Sequence, residues 1–141
     1  MVNDLFNLKG RVSIELNGQT VQEIDNLVVT AGKVFVASRM KDTTADAMTH
    51  MAVGTNSTAA AAGNTALGSE SARVALTSTT ASTNTVIYVA TFPAGTGTAA
   101  LTEAGILNAS SSGTMLCRTV FTAINKGSAD AMTVTWTITV S

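Results

Sequence analysis

The stretch from Met132 to Val140 restricts the fold of this chain more than any other feature. Bulky apolar residues and threonines alternate along it without a break. Successive side chains of an extended backbone point to opposite sides, so this period of two predicts a β-strand with one buried and one solvated face. Threonine is β-branched, which stiffens the strand and leaves a hydroxyl group for water or a neighbouring chain.

Segments nearer the middle of the chain show related patterns. Thr85 to Phe92 carries apolar residues on both faces, so we expect this strand to be covered on both sides. Pro93 ends it, because proline cannot donate a hydrogen bond to a sheet. Leu101–Asn108 and Met115–Phe121 flank a turn rich in serine and glycine, and together they predict a hairpin.

The N-terminal third predicts another hairpin and one helix. Arg11–Leu16 alternates and is followed by Asn17 and Gly18, which tolerate the positive φ of a tight turn. Thr30 to about Met40 has apolar residues at roughly helical spacing, with Thr30 as an N-cap. Residues 54–68 are mostly small or polar and predict an extended loop, of a kind that becomes ordered only against a neighbouring protein.

These elements predict an all-β chain: an antiparallel β-sandwich or jelly roll with one short helix near residues 30–41. The 141 residues suit a single domain. We place that domain at residues 11–141 and an N-terminal arm at residues 1–10. Three apolar residues of the arm are candidates for contact with a partner, because a free terminus is easily lent to another chain: Leu5, Phe6 and Leu8.

Charge is unusually scarce. Only 12% of the residues are Asp, Glu, Lys or Arg, against about 25% in an ordinary soluble domain. A surface of hydroxyl groups packs against other protein without burying many unpaired charges, so this composition favours assembly. The net charge of -1 and the lack of a basic run give no basis for binding nucleic acid or an anionic membrane.

Cysteine content and apolar runs narrow the class further. The single cysteine, Cys117, rules out an intrachain disulfide, and no segment reaches the roughly 20 apolar residues of a membrane span. We therefore expect a protein that is soluble when made. The methionines are expected to fill gaps between sheets: Met40, Met48, Met51, Met115 and Met132.

Reactive groups are few, and we expect no enzyme, no metal and no cofactor. His50 is the only histidine and has no nucleophile or orienting carboxylate nearby in sequence. Cys117 lies in an apolar strand and is expected to be a small buried residue. The carboxylates are expected to be solvated at the surface: Glu23, Asp25, Asp42, Asp46 and Glu103. The enzymatic alternative is a carbohydrate-active sandwich that uses Glu23, Asp25 or Glu103.

A resemblance to known proteins rests on several segments spread over nearly the whole chain. They are Val28–Lys33, Met51–Thr55, Glu70–Leu76, Leu101–Asn108, Gly113–Phe121 and the Thr-rich strand around Trp136. Together they resemble small virion structural proteins of tailed bacteriophages. Proteins of this kind are capsid decoration (cement) proteins or tail and fibre components.

The resemblance implies a location in the virion after synthesis in the host cytoplasm. Our leading expectation is a cement protein that binds the major capsid protein and bridges neighbouring subunits of the head shell. It also implies a homo-oligomer, with a trimer ahead of a dimer because of the symmetry of capsid sites. The alternative is a tail, baseplate or fibre component that takes part in host attachment.

Overall fold

Within residues 6–41 and 46–141, which the computed structural model describes, ten strands form two antiparallel sheets of five. The first sheet has the strand order β2-β1-β10-β7-β6. Its strands are β1 (Leu8–Leu16), β2 (Gln19–Asp25), β6 (Ser78–Ser82), β7 (Thr85–Phe92) and β10 (Met132–Val140). The Thr-rich segment is therefore the central strand of this sheet, as its alternation predicts.

The second sheet has the strand order β3-β9-β8-β4-β5. Its strands are β3 (Leu27–Val28), β4 (His50–Gly54), β5 (Glu70–Ala75), β8 (Ala99–Leu107) and β9 (Met115–Lys126). The predicted hairpin is β8 and β9, which pair in antiparallel register across the turn. The all-β sandwich and the single short helix predicted from the sequence are confirmed.

The main core lies between the two sheets. Trp136 and Phe92 from the first sheet are fully buried, and they belong to the same cluster as Met51, Leu101 and Ile106 from the second. On β10 every second residue from Met132 to Ile138 is buried while the threonines between them are half-buried. The period of two in the sequence is thus the division between the core and the outer face of the first sheet.

A smaller apolar cluster lies on the opposite side of the second sheet. It consists of Val29, Ala52, Leu67, Leu107 and Met115. Residues 55–69, called the capping loop from here on, bring Leu67 down onto this face, where it is 8% exposed. The sequence-based prediction that this loop becomes ordered only against a neighbouring protein is wrong, because its own sheet holds it.

The helix, α1 (Thr30–Lys41), matches the predicted segment. Its first turn lies so close to β9 that a Cβ on Gly32 would be 2.1 Å from the carbonyl oxygen of Leu116. Glycine at position 32 therefore permits the helix to dock, although it lowers helix propensity. Arg39 and Lys41 in the last turn suit the negative end of the helix dipole.

The N-terminal hairpin turns as predicted. Asn17 has a φ of 51° and Gly18 a φ of 81°, the left-handed pair of a tight two-residue turn. Leu8 pairs with Val140 at the start of β1. Leu8 to Gly10 thus belong to the sheet, although the sequence assigned them to the arm.

Other expectations need correction. Met40 does not fill a core gap but is 83% exposed at the end of α1, whereas Met48, Met51, Met115 and Met132 are buried. Ile87 and Val89 are half-buried on the outer face of the first sheet and not fully covered. Strand β6 was not predicted, because its five residues carry no apolar alternation.

Candidate functional site

The most organised polar group in the described chain is a buried ion pair in the second sheet. Glu103 on β8 is 0% exposed and Arg118 on β9 is 2% exposed. The Nε and Nη2 atoms of Arg118 both donate to Oε1 of Glu103, at 3.1 and 3.0 Å. A buried charge needs a complete set of partners to be tolerated, and the capping loop supplies the rest.

Three backbone N–H groups of the capping loop donate to the Glu103 carboxylate. Asn56 and Ser69 donate to Oε2 at 3.0 and 2.8 Å, and Gly68 donates to Oε1 at 2.8 Å. Arg118 also reaches the middle of the loop, donating from Nη1 to Oδ1 of Asn64 at 3.1 Å. Glu103 and Arg118 therefore fix both ends and the centre of a loop that has little apolar surface of its own.

These contacts determine the charge state of Glu103. Burial raises the pKa of a carboxyl group, but the backbone hydrogen bonds from Ser69, Gly68 and Asn56 and the side chain of Arg118 lower it. The net pKa of Glu103 lies below its ordinary value. The carboxylate is thus ionised at neutral pH and fully occupied as a hydrogen-bond acceptor.

The prediction that Glu103 is a solvated surface carboxylate is wrong. Glu103 shares the outer face of β8 with Gly105 and Leu107, so this strand is covered on both sides, whereas the sequence suggested cover for β7. The signal that could have shown this is Leu101–Leu107, which is almost wholly apolar with one acidic residue inside it. Such a residue is buried only with partners.

The other predicted surface carboxylates are not brought together with Glu103. Glu23 and Asp25 are exposed on β2 and face Arg11 on β1, at 3.9 and 3.1 Å. Asp46 is exposed, and Asp42 lies outside the described residues. No group of three or more His, Cys, Asp or Glu residues with the spacing of a metal site occurs in residues 6–41 and 46–141.

The side chains of Cys117 and His50, the two groups considered for nucleophilic or acid–base chemistry, lie in different surroundings. Cys117 is fully buried, and burial raises the pKa of its thiol well above the ordinary value, which disfavours the reactive thiolate. It lies near Tyr88, and burial of the Tyr88 hydroxyl is the main cause that raises the pKa of this side chain to about 12. His50 is half-buried and contacts the Thr49 hydroxyl at 2.7 Å from Nδ1.

The predicted partner-contact residues border an apolar groove. Leu5 lies outside the described residues, Phe6 is 60% exposed, and Leu8 is half-buried at the start of β1. Phe6 and Leu8 line a groove of about 420 Å³ together with residues of α1, including Met40. We call this the N-terminal groove; its lining residues are Phe6, Asn7, Leu8, Lys33, Val36, Ala37 and Met40.

A second candidate surface was not predicted from the sequence. The outward residues of β10, β7 and β6 are all Thr, Ser, Ile or Val, and we call them the neutral face. They are Thr133, Thr135, Thr137, Thr139, Thr85, Ile87, Val89, Thr91, Ser78, Thr80 and Ser82. The residues lie in rows across three neighbouring strands, for example Thr135 beside Val89 and Val89 beside Ser78.

The other half of the same outer surface is charged. The outward residues of β1 and β2 include Lys9, Arg11, Glu15, Glu23 and Asp25. The boundary runs between β1 and β10, where Arg11 is paired with Thr137. Charge is therefore not merely scarce in this chain but is also absent from the outward positions of three adjacent strands.

The chain matches no known protein-family model, no curated protein and no solved structure. In residues 6–41 and 46–141, no helix combines the length and apolar character that crossing a membrane requires.

Proposed function

We propose that this protein is a structural component of a bacteriophage virion, and specifically a capsid decoration protein. It binds the major capsid protein on the assembled head shell and stabilises the shell by bridging neighbouring subunits. The proposal is supported first by the resemblance of the sequence to small phage virion proteins. The structural observation that carries it is the neutral face.

The neutral face suits binding to another protein at many equivalent sites. The neutral face carries no charged side chain, so covering it leaves no charge unpaired. Its hydroxyl groups also cost less to remove from water than charged groups do. Thr91 and Thr133 already satisfy each other across two strands, at 3.1 Å between hydroxyl oxygens. Ile87 and Val89 add apolar area at the centre of the face. Covering this face therefore buries apolar area at a small cost in desolvation of polar groups.

Bridging requires a second contact surface on the same molecule. The N-terminal groove supplies it, with Phe6 and Met40 as exposed apolar side chains and Lys33 at its edge. The groove lies between α1 and the start of β1, whereas the neutral face lies on β10, β7 and β6. Because these are two separate surfaces, each contacts a different shell subunit in the proposed role.

The size of the neutral face makes each contact weak. Its strands β10, β7 and β6 have nine, eight and five residues. At about 4.8 Å between strands and about 3.4 Å per residue they cover roughly 350 Å², against about 800 Å² per partner in a standard interface. Stable decoration then depends on many copies and on several contacts per copy. Binding that is confined to the assembled shell shifts the equilibrium away from free subunits.

The test is co-sedimentation of the purified protein with empty head shells and, in parallel, with purified tails. We expect binding to shells and a higher shell disruption temperature when sites are filled. Thr135→Lys puts a charge on the neutral face beside Val89 and should weaken shell binding at least about tenfold. Thr20→Lys, on β2 at the charged half, is the matched control and should bind like the wild type.

Two results would contradict this role. Binding to tails and not to shells would replace it with the tail or fibre role, for which a copy number of a few dozen or fewer per virion is expected. Equal effects of Thr135→Lys and Thr20→Lys on shell binding would remove the neutral face as the contact surface.

The groove is tested by a separate pair of variants. Phe6→Ala should weaken shell binding without lowering the melting temperature, because Phe6 is exposed. A truncation through residue 8 would remove Leu8 from its pairing with Val140, so it is a poorer test than the single substitution. Val21→Ala also removes an exposed apolar side chain, on β2, and serves as the control; Val21 is 44% exposed and Phe6 60%.

A further inference from the structure

Strand β6 is an open edge of the first sheet. It pairs with β7 on one side and is the last strand in the order, so the backbone groups on its other side have no partner within the sheet. All five of its residues are exposed: Ser78, Thr79, Thr80, Ala81 and Ser82. None is charged, and none is proline, so it lacks the usual features that keep sheet edges from pairing.

The other edges carry such protection. At the opposite edge of the same sheet, β2 bears Glu23 and Asp25 and has an irregular register opposite Ile14 and Glu15. In the second sheet, β5 bears Glu70 and Arg73, which are joined at 2.7 Å. The remaining edge strand, β3, is two residues long. Among the edge strands of residues 6–41 and 46–141, β6 alone is both several residues long and uncharged.

We propose that two copies of this chain pair through β6, antiparallel and centred on Thr80. This register places Ser78 opposite Ser82 and Thr79 opposite Ala81, and Thr80 opposite its own copy. Identical strands that pair about a two-fold axis set like residues near one another, which is costly for charged edges and costs nothing here. The net charge of -1 per chain adds almost no repulsion.

The pairing has a consequence for the neutral face. The two-fold axis of an antiparallel strand pair runs perpendicular to the sheet, so both outer faces lie on the same side. The two first sheets become one ten-stranded sheet, with the neutral strands β10, β7 and β6 of both copies contiguous at its centre. The neutral face doubles to roughly 700 Å², close to the area per partner in a standard interface.

The inference rests on the proposed function only for the use of this enlarged face; the pairing itself is a property of the purified protein. It favours the dimer over the trimer expected from capsid symmetry, because an antiparallel pair of identical strands has two-fold symmetry. Sedimentation velocity and light scattering on the purified chain should give a mass of twice 14.3 kDa.

Two variants test the edge directly. Thr80→Lys places two charges at the dyad and should return the chain to one copy per particle, while Thr20→Lys on the β2 edge should leave the dimer intact. Circular dichroism confirms that each variant is folded. Thr80→Cys should form a disulfide-linked dimer under mild oxidation, since paired residues lie about 4.5–5.5 Å apart between Cα atoms.

Thr20→Cys is the control for cross-linking and should remain unlinked, and the buried Cys117 contributes no competing thiol. A wild-type mass of one or three chains at concentrations up to roughly 1 mM would overturn the proposal. So would cross-linking of Thr20→Cys as fast as Thr80→Cys. A dimer that ignores head shells would end the decoration role and leave the pairing standing; shell binding by a monomer would do the reverse.

Discussion

The two sheets treat their outer faces in opposite ways. The second sheet covers its outer face with the capping loop and holds the loop with an ion pair that is itself buried. The first sheet leaves its outer face open, with neutral residues on β10, β7 and β6 and charged residues on β1 and β2. Two sheets of equal strand number thus differ in whether the chain itself covers the outer face.

The two sheets also differ in where their few charged residues lie. Glu103 and Arg118 hold a loop that has few large apolar side chains, and Arg11 with Glu23 and Asp25 lies at one exposed edge. The neutral face and β6 have none. A charge in the interior selects one loop conformation, whereas the absence of charge on a surface permits contact with other chains.

The largest effect is expected from removing one member of the buried pair. Arg118→Ala leaves the Glu103 carboxylate buried without its main cationic partner and should lower the free energy of unfolding by about 3–5 kcal/mol. Arg11→Ala, which breaks an exposed pair on the open sheet, should cost less than about 1 kcal/mol. Urea unfolding followed by Trp136 fluorescence measures both. Equal losses would mean that the two sheets do not differ in this way.

A smaller effect is expected from the apolar anchor of the capping loop. Leu67→Ala opens a cavity over Ala52 and Leu107 and should cost about 2–4 kcal/mol. Val21→Ala, on the exposed edge strand of the first sheet, should cost under about 0.5 kcal/mol. If Leu67→Ala costs as little as the control, Glu103 alone holds the loop in place.

Acid should weaken the attachment of the capping loop to the second sheet through Glu103. Because the folded-state pKa of Glu103 is lowered, its contribution to stability is complete above the unfolded value of about 4.3 and is lost as the pH falls through the folded pKa. The amide proton shifts of Asn56, Gly68 and Ser69 should titrate together in NMR spectra. Glu103→Gln should flatten the acid slope of stability, and an unchanged slope would assign it to other carboxylates.

The first sheet could be predicted from the sequence more readily than the second. Alternation around Trp136 predicted the central strand and its two unlike faces, and Asn17 with Gly18 predicted a turn that the structure contains. These patterns are local, so they can be interpreted without knowledge of tertiary contacts. The helix was also predictable, although Gly32 appeared unfavourable until its contact with Leu116 was known.

The covered face could not be predicted because its cause is not local. Glu103 and Arg118 are 15 residues apart, and the N–H groups that complete the site come from residues 34 to 47 positions away. A Cβ on Gly54 would lie 2.2 Å from the carbonyl oxygen of Ser69, which explains a glycine that the sequence shows without a reason. Strand β6 lacked a signal since a strand with both faces exposed has no alternation.

The smallest effect is expected where threonine hydroxyls face outwards. Thr137→Val keeps the shape and β-branching of the side chain on the neutral face, so the free energy of unfolding should change by no more than about 0.5 kcal/mol. Thr119→Val is the matched control, because its buried hydroxyl donates to the carbonyl oxygen of Asp25 at 2.9 Å, and its loss should cost about 1–2 kcal/mol. Equal costs in urea titrations would show that the outward hydroxyls serve folding, and the neutral face would then need no partner to explain it.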